Sequence, residues 1–128
     1  LLLVFARSWK YSGRLVFYLV ILVLAVTYTW LLFADITSFD PEAGSSLSNI
    51  ARSFGNERVA LLGWIHYLAF DLLAGLLISM DGRRLGIHPA LMFIPLFFTL
   101  MAGPFGILLY TVIRYFYTGR AEVPLDNL

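Results

Sequence analysis

The chain has 128 residues, of which 60% are hydrophobic and 13% are charged, and its formal net charge is +1. Soluble domains carry about 25% charged residues, so this composition predicts a membrane protein. A net charge this close to zero argues against a nucleic-acid partner. Because the sequence has no cysteine, disulfides, thiolate metal sites and cysteine nucleophiles are excluded.

Three apolar segments are long enough to cross a bilayer. A hydrocarbon core about 30 Å thick needs roughly 20 helical residues, which predicts membrane-spanning helices near 15–34, 59–79 and 90–114. We therefore expect an all-α integral membrane fold in which residues 1–128 form one domain. The opening LLLVF is too short to span and lacks the surroundings of a signal peptide, so we interpret it as the remnant of a preceding fourth helix.

The connection between the first two segments changes character along its length. It is polar and rich in turn residues at TSFDPEAGSS, and apolar residues then recur at helical spacing from Leu47 to Phe54. This pattern predicts a short amphipathic helix over about 46–55 on the membrane surface, with a loop as the alternative. Because Arg7 and Lys10 precede the first segment, the connection is expected on the opposite side of the membrane.

Two ionisable residues, His66 and Asp71, interrupt the second apolar segment. Such residues are costly in a membrane and usually face the interior of a helix bundle, so Asp71 is a candidate functional residue. Tyr67 lies one turn before Asp71 on the same helix face, whereas His66 lies about 140° around the helix. A protonated Asp71 could act as a general acid. Alternatively, it could serve packing alone by bonding a carbonyl that Pro104 leaves without its usual N–H partner.

The third segment combines prolines with many aromatic side chains. Pro95 and the GPFG unit at 103–106 predict kinks that open a concave, aromatic wall. Its last charged residue, Arg114, is interpreted with the neighbouring tyrosines Tyr115 and Tyr117 as an anchor at the membrane interface.

No metal site is predicted from this sequence. Helical metal motifs place their ligands on one face at a spacing of three or four residues. The four candidate ligands do not follow that spacing: His66, Asp71, Asp81 and His88.

A long stretch of the chain resembles the neoxanthin-synthase-like family, which includes the plant abscisic-acid-deficiency membrane protein. The resemblance is carried by GWIHYLAFDL at 63–72, then by Asp81, GIHP at 86–89, Pro95, Thr99, GPFG at 103–106, Tyr110 and Arg114. It covers roughly residues 7–114 and implies a small four-helix membrane protein. The plant member is needed to convert violaxanthin into neoxanthin, an opening of an epoxide to an allene. The resemblance departs at Leu76, where many members have an arginine.

The resemblance implies a carotenoid-directed isomerase. In that reading Asp71 protonates the epoxide oxygen, and His66 or Tyr67 orients this oxygen or accepts a proton. The reaction requires no metal or redox cofactor. The candidate residues for holding a bound carotenoid or chlorophyll are Trp64, His66, Phe70, Thr99, Gly103 and Pro104.

A second reading from a different class is a non-catalytic pigment-binding or structural subunit of a larger photosynthetic membrane complex. His66 would then ligate a chlorophyll magnesium, and the apolar helix faces would contact other membrane subunits, carotenoid and lipid. The expected location is a plastid thylakoid or a bacterial inner membrane. The aromatic content, the small size and Leu76 favour this reading. A transporter is less favoured, because the chain has a single central acid and no internal repeat.

Overall fold

The computed structural model describes residues 15–34, Glu42 and residues 44–123, and its regular structure is entirely helical. Its elements are a π-helical stretch Val16–Ile21 that continues into α1 (Leu22–Ala34), then α2 (Leu47–Ser53), α3 (Glu57–Arg84) and α4 (Pro89–Thr118). Three helices are long and apolar enough to cross a membrane: Phe17–Ala34, Glu57–Arg84 and Pro89–Thr118. The predicted all-α membrane fold is therefore confirmed. The expected helix remnant at LLLVF and the basic residues Arg7 and Lys10 lie outside the described residues.

Helix α3 is longer at both ends than its apolar core predicts. It begins after Asn56, whose side chain accepts a hydrogen bond from the Arg58 N–H at 2.9 Å. The acidic Glu57 lies in its first turn and two arginines lie in its last turn, so both ends complement the helix dipole. As a result Asp81, which lies beyond the predicted span 59–79, is part of the helix.

Helix α4 has a well-defined cap at each end. His88 precedes it, and its Nδ1 accepts a hydrogen bond from the Ala90 N–H at 3.3 Å. Pro89 occupies the first turn, where its missing N–H is not needed. The helix ends at Gly119, whose φ of 69° is left-handed and therefore favours glycine.

The middle of α4 reverses the direction of the chain. Ala102 has φ −151° and ψ 57°, which are not helical values, and it directly precedes the glycine and proline of the GPFG unit. In an unbroken helix Thr99 and Gly106 would be about 10 Å apart. Instead, a Cβ added to Gly106 would overlap the backbone of Thr99. The helix therefore turns back on itself, where the sequence indicated only a kink.

The two arms of α4, residues 89–101 and 103–118, lie side by side. Met92 in the first arm and Tyr110 in the second would be about 27 Å apart in a straight helix, yet both belong to one buried cluster. Gly82 of α3 lies against Met92, and the adjacent Asp81 accepts a hydrogen bond from Tyr110. Both outer ends of the hairpin thus lie beside the C-terminal end of α3. Its vertex lies near the middle of that helix.

Two apolar clusters hold these elements together. The larger one fills the open end of the hairpin and consists of Ile78, Ile87, Met92, Leu96 and Tyr110. The smaller one packs Ile21 of the π-helical stretch against Leu76 of α3. Leu76, where the chain differs from many members of the family it resembles, is about 140° around the helix from Asp71. It therefore contacts a different neighbour, Ile21.

Candidate functional site

Asp71 lies in the middle of α3 and contacts the vertex of the hairpin. Asp71 is 8% exposed, and its Oδ2 atom is buried and has no hydrogen-bond partner within the described part of the chain. A Cβ added to Gly103 would overlap Oδ1 of Asp71, so the missing side chain at Gly103 makes room for the carboxyl. The glycine in the GPFG unit therefore lets this acid reach the broken helix.

The helix break exposes backbone groups of both signs beside α3. A helix end leaves carbonyls unbonded at its C-terminus and N–H groups unbonded at its N-terminus, with partial charges of about −0.5 and +0.5. Tyr67 donates its hydroxyl proton to the Met101 carbonyl at the end of the first arm, over 3.1 Å. The Asp71 carboxyl lies against Gly103 at the start of the second arm. One turn of α3 thus places a hydroxyl donor at the end of the first arm and a carboxyl group at the start of the second.

The structural alternative for Asp71 is a bond to the carbonyl that Pro104 frees, and this role stays a prediction. The bond seen at the break is a different one, from the Tyr67 hydroxyl to the Met101 carbonyl. The Oδ2 atom of Asp71 bonds no described residue. Tyr67 therefore contributes to the hairpin, and Asp71 keeps one oxygen without a partner among the described residues.

Thr99 and Pro104, both expected to hold a pigment, help to form the vertex itself. Thr99 is buried, and its hydroxyl donates to the Pro95 carbonyl at 2.7 Å. Its backbone packs directly against Gly106 of the second arm. Pro104 follows Gly103 at the start of the second arm, where a missing N–H is tolerated. These two residues shape the site by bringing the arms together.

His66 lies on another face of α3. Its ring centroid is 4.7 Å from that of Phe70 and 5.7 Å from that of Tyr28 in α1. The structure therefore brings Tyr67 and Asp71 together at the vertex and separates His66 and Phe70 from them. Trp64, two turns before Asp71, is 68% exposed.

A second polar cluster joins the open end of the hairpin to α3. Arg114 donates from Nε to Oδ2 of Asp81 at 2.8 Å, and Tyr110 donates its hydroxyl proton to the same oxygen. The Nη1 atom of Arg114 also donates to the carbonyl of Arg120 at 2.8 Å. The interpretation of Arg114 as an interface anchor is wrong, because this residue is 4% exposed and ion-paired.

The sequence contains one signal that could have revealed this cluster. Asp81 and Arg114 both lie at the edges of apolar segments, and opposite charges in such places often pair. In a bundle of straight helices, however, the two residues would lie near opposite ends of neighbouring helices. The pairing becomes visible only once α4 is known to turn back.

The four candidate metal ligands serve separate parts of the fold. Asp71 lies at the vertex, His66 beside α1, Asp81 in the ion pair and His88 at the start of α4. Within the described residues, no group of three or more histidine or acidic side chains is placed to hold a metal ion.

Comparison with known protein families identifies the family of this chain. The model of the ABA4-like family, described as ABA DEFICIENT 4-like, matches residues 1–110, and the chain belongs to this family. The resemblance found from the sequence motifs is thereby confirmed. Neither a curated protein nor a solved structure matches the chain.

Proposed function

We propose that this member of the ABA4-like family binds an epoxycarotenoid within the membrane and isomerises it, with Asp71 as the acid. One observation carries the proposal: the Asp71 carboxyl is buried at the hairpin vertex, with an Oδ2 atom that no described residue bonds. It is also in no ion pair with a described residue, unlike Asp81. A positioned carboxylic acid in an apolar site is the kind of group that protonates a poorly basic oxygen.

The proposed step needs only one proton donor and one acceptor. The epoxide carbon–oxygen bond breaks, and the oxygen keeps the bonding pair and takes the proton of Asp71. The electron pair of the neighbouring vinylic carbon–hydrogen bond then forms the second double bond of an allene. The proton released from that carbon returns to the Asp71 carboxylate. Substrate and product are therefore isomers, and the step consumes no oxidant or reductant.

Tyr67 has a supporting part in this proposal. Its hydroxyl already donates to the Met101 carbonyl, so it holds the helix break against α3 one turn from Asp71. We therefore assign Tyr67 as a positioning residue and leave His66, on the face toward α1, outside the reaction.

The test compares two variants of the purified protein in lipid nanodiscs. Asp71→Asn keeps the size of the side chain but removes the transferable proton, so epoxycarotenoid turnover should fall by about 10²–10⁴-fold. His66→Leu is the matched control on the same helix and should retain turnover. Unchanged turnover in Asp71→Asn would exclude Asp71 as the acid.

The position of His66 favours one alternative function, that of a pigment-binding subunit. Its ring is exposed and lies near the rings of Tyr28 and Phe70, and an imidazole in this position could ligate a chlorophyll magnesium. In that case the purified protein should carry chlorophyll, His66→Leu should lose it and Asp71→Asn should keep it. The same two variants therefore give opposite results under the two functions.

A further inference from the structure

One stripe of α3 is covered on one side of Asp71 and open on the other. Residues 75, 78 and 82 lie within about 40° of Asp71 around the helix, in the C-terminal direction, and all three are buried. In the N-terminal direction the same stripe carries Tyr67 and Trp64, which are 43% and 68% exposed. The change from buried to exposed occurs at Asp71 itself.

The length of the hairpin explains this change. At 1.5 Å per residue the 28 residues of α3 extend over about 42 Å, whereas the first arm of α4 extends over only about 20 Å before the break at Ala102. The arms therefore cover the C-terminal half of α3 and stop at its middle. The N-terminal half of the stripe, formed by Ala60, Trp64 and Tyr67 and called the open stripe below, extends beyond the vertex.

The chemistry of this region is that of a site for a long apolar molecule with one polar end. Between Val59 and Phe70 the helix has no acidic or basic residue apart from His66, which faces α1. At the closed end, the Asp71 carboxyl lies at the vertex, and its buried Oδ2 atom has no hydrogen-bond partner among the described residues. An apolar body can lie along the open stripe, and an oxygen-bearing end group can bond the carboxyl.

We propose that the open stripe and the hairpin vertex form a binding site in which an oxygenated carotenoid lies in the Glu57-side half of the membrane, with its oxygen-bearing ring at Asp71 and its polyene along Trp64. This inference rests on the proposed function and adds to it the direction of entry and the depth of the reacting ring. The substrate reaches the acid laterally from the bilayer, and the hairpin arms block approach from the Arg84 side.

Tryptophan fluorescence tests the placement directly, because a bound polyene quenches a neighbouring indole by energy transfer. The Trp9→Phe/Trp30→Phe double variant leaves Trp64 as the reporter, and the Trp9→Phe/Trp64→Phe variant leaves Trp30 on α1 as a control. Trp30 and Trp64 are both 68% exposed, so the protein shields neither reporter more than the other. Violaxanthin is the oxygenated probe and β-carotene the hydrocarbon control, both in nanodiscs of one lipid composition.

Violaxanthin should quench Trp64 saturably and more strongly than it quenches Trp30 on the neighbouring helix, whereas β-carotene should quench both reporters only weakly and without saturation. Asp71→Leu in the Trp64 reporter should weaken violaxanthin binding by about three- to tenfold, the value of one lost hydrogen bond. Asp71→Asn keeps a group that can bond the ring oxygen, so it should bind within about twofold of the parent, and a loss as large as that of Asp71→Leu would overturn the bond to the ring. Equal quenching of both reporters would overturn the site. The site is also overturned if the quenching of Trp64 depends on the amount of protein in the nanodisc and not on the amount of violaxanthin.

Turnover measured on the same samples separates this inference from the proposed function. Saturable quenching of Trp64 without any turnover supports the binding site and refutes the isomerase. Turnover without quenching of Trp64 supports the isomerase and refutes this binding site.

Discussion

Two buried aspartates on one helix have opposite surroundings. Asp71 and Asp81 lie about 15 Å apart along α3 and are 8% and 2% exposed. Asp81 is bonded by Arg114 and Tyr110, whereas Oδ2 of Asp71 has no partner among the described residues. Burial alone therefore does not distinguish a carboxyl group that the protein bonds from one that it leaves with an unbonded oxygen. What distinguishes them is what the facing element supplies: side-chain donors at the open end of the hairpin and a glycine at its vertex.

The surroundings of both aspartates depend on the hairpin. Non-helical backbone at membrane depth is tolerated where protein covers it or where it lines a cavity, because its polar groups need partners. Tyr67 provides such a partner for the Met101 carbonyl. The Asp81–Arg114 ion pair holds the returning arm against α3. If α4 were straight, neither acid would have the surroundings described above.

The largest expected effect is an all-or-none difference in accessibility that tests the hairpin. Since the chain has no cysteine, single variants Ser45→Cys, Arg84→Cys and Glu122→Cys, all at exposed positions, report the side of the membrane on which each residue lies. Membrane-impermeant labelling should modify Arg84→Cys and Glu122→Cys from one side and Ser45→Cys from the other. A straight α4 would instead place the label at 122 on the side of Ser45, and that result would contradict the hairpin.

The next effect should be a large loss of stability on breaking the Asp81 cluster. Arg114→Met leaves a buried carboxylate without its cation, and removing one partner of a buried pair typically costs about 3–5 kcal/mol. The measurement is the free energy of unfolding in mixed detergent micelles. The control is the Asp81→Asn/Arg114→Met double variant, which should be more stable than Arg114→Met because it no longer strands a charge. Equal stability of the two variants would show that the ion pair is not what holds the hairpin.

Much of the fold follows from the sequence because membrane helices have a simple compositional requirement. Apolar runs of about 20 residues indicated three long helices, and apolar spacing after TSFDPEAGSS indicated the short α2. The path of α4 did not follow, since a proline and two glycines fit a kink as well as a reversal. The difference is decided by close packing between the arms, such as that of Gly106 on Thr99. No local pattern encodes that contact.

The candidate site was predictable to the extent that helix periodicity determines it. The one-turn spacing placed Tyr67 and Asp71 on one face, and the structure puts both against the hairpin. The same periodicity separated His66 from them by about 140°, and His66 indeed faces Tyr28. The role of Arg114 was missed, because its pairing with Asp81 depends on the chain reversal 12 positions earlier at Ala102.

A smaller effect should come from a methyl group placed inside the hairpin. Gly106→Ala adds a Cβ that would overlap the backbone of Thr99, and overpacking of this kind typically costs about 1–3 kcal/mol. Gly44→Ala is the matched control, since nothing lies within 4 Å of its added Cβ. The free energy of unfolding in mixed micelles should be lower for the first variant than for the parent and unchanged for the second. If both variants unfold like the parent, the arms do not pack as described.

The smallest change in stability is expected for Tyr67→Phe, which removes only the hydroxyl that bonds the Met101 carbonyl. Side-chain hydrogen bonds within membranes average about 0.6 kcal/mol, so the free energy of unfolding should hardly change. Turnover should nevertheless fall, by about tenfold, because Tyr67 holds the break one turn from Asp71 and small misplacements of reacting groups are costly. Tyr115→Phe on the exposed face of α4 is the control and should leave both quantities unaltered. The decisive measurement is turnover in the Tyr67→Phe/Asp71→Asn double variant. If Tyr67 acts only by positioning Asp71, its removal should have no further effect once the acid is gone, whereas an additional tenfold loss would show that Tyr67 acts on the substrate itself.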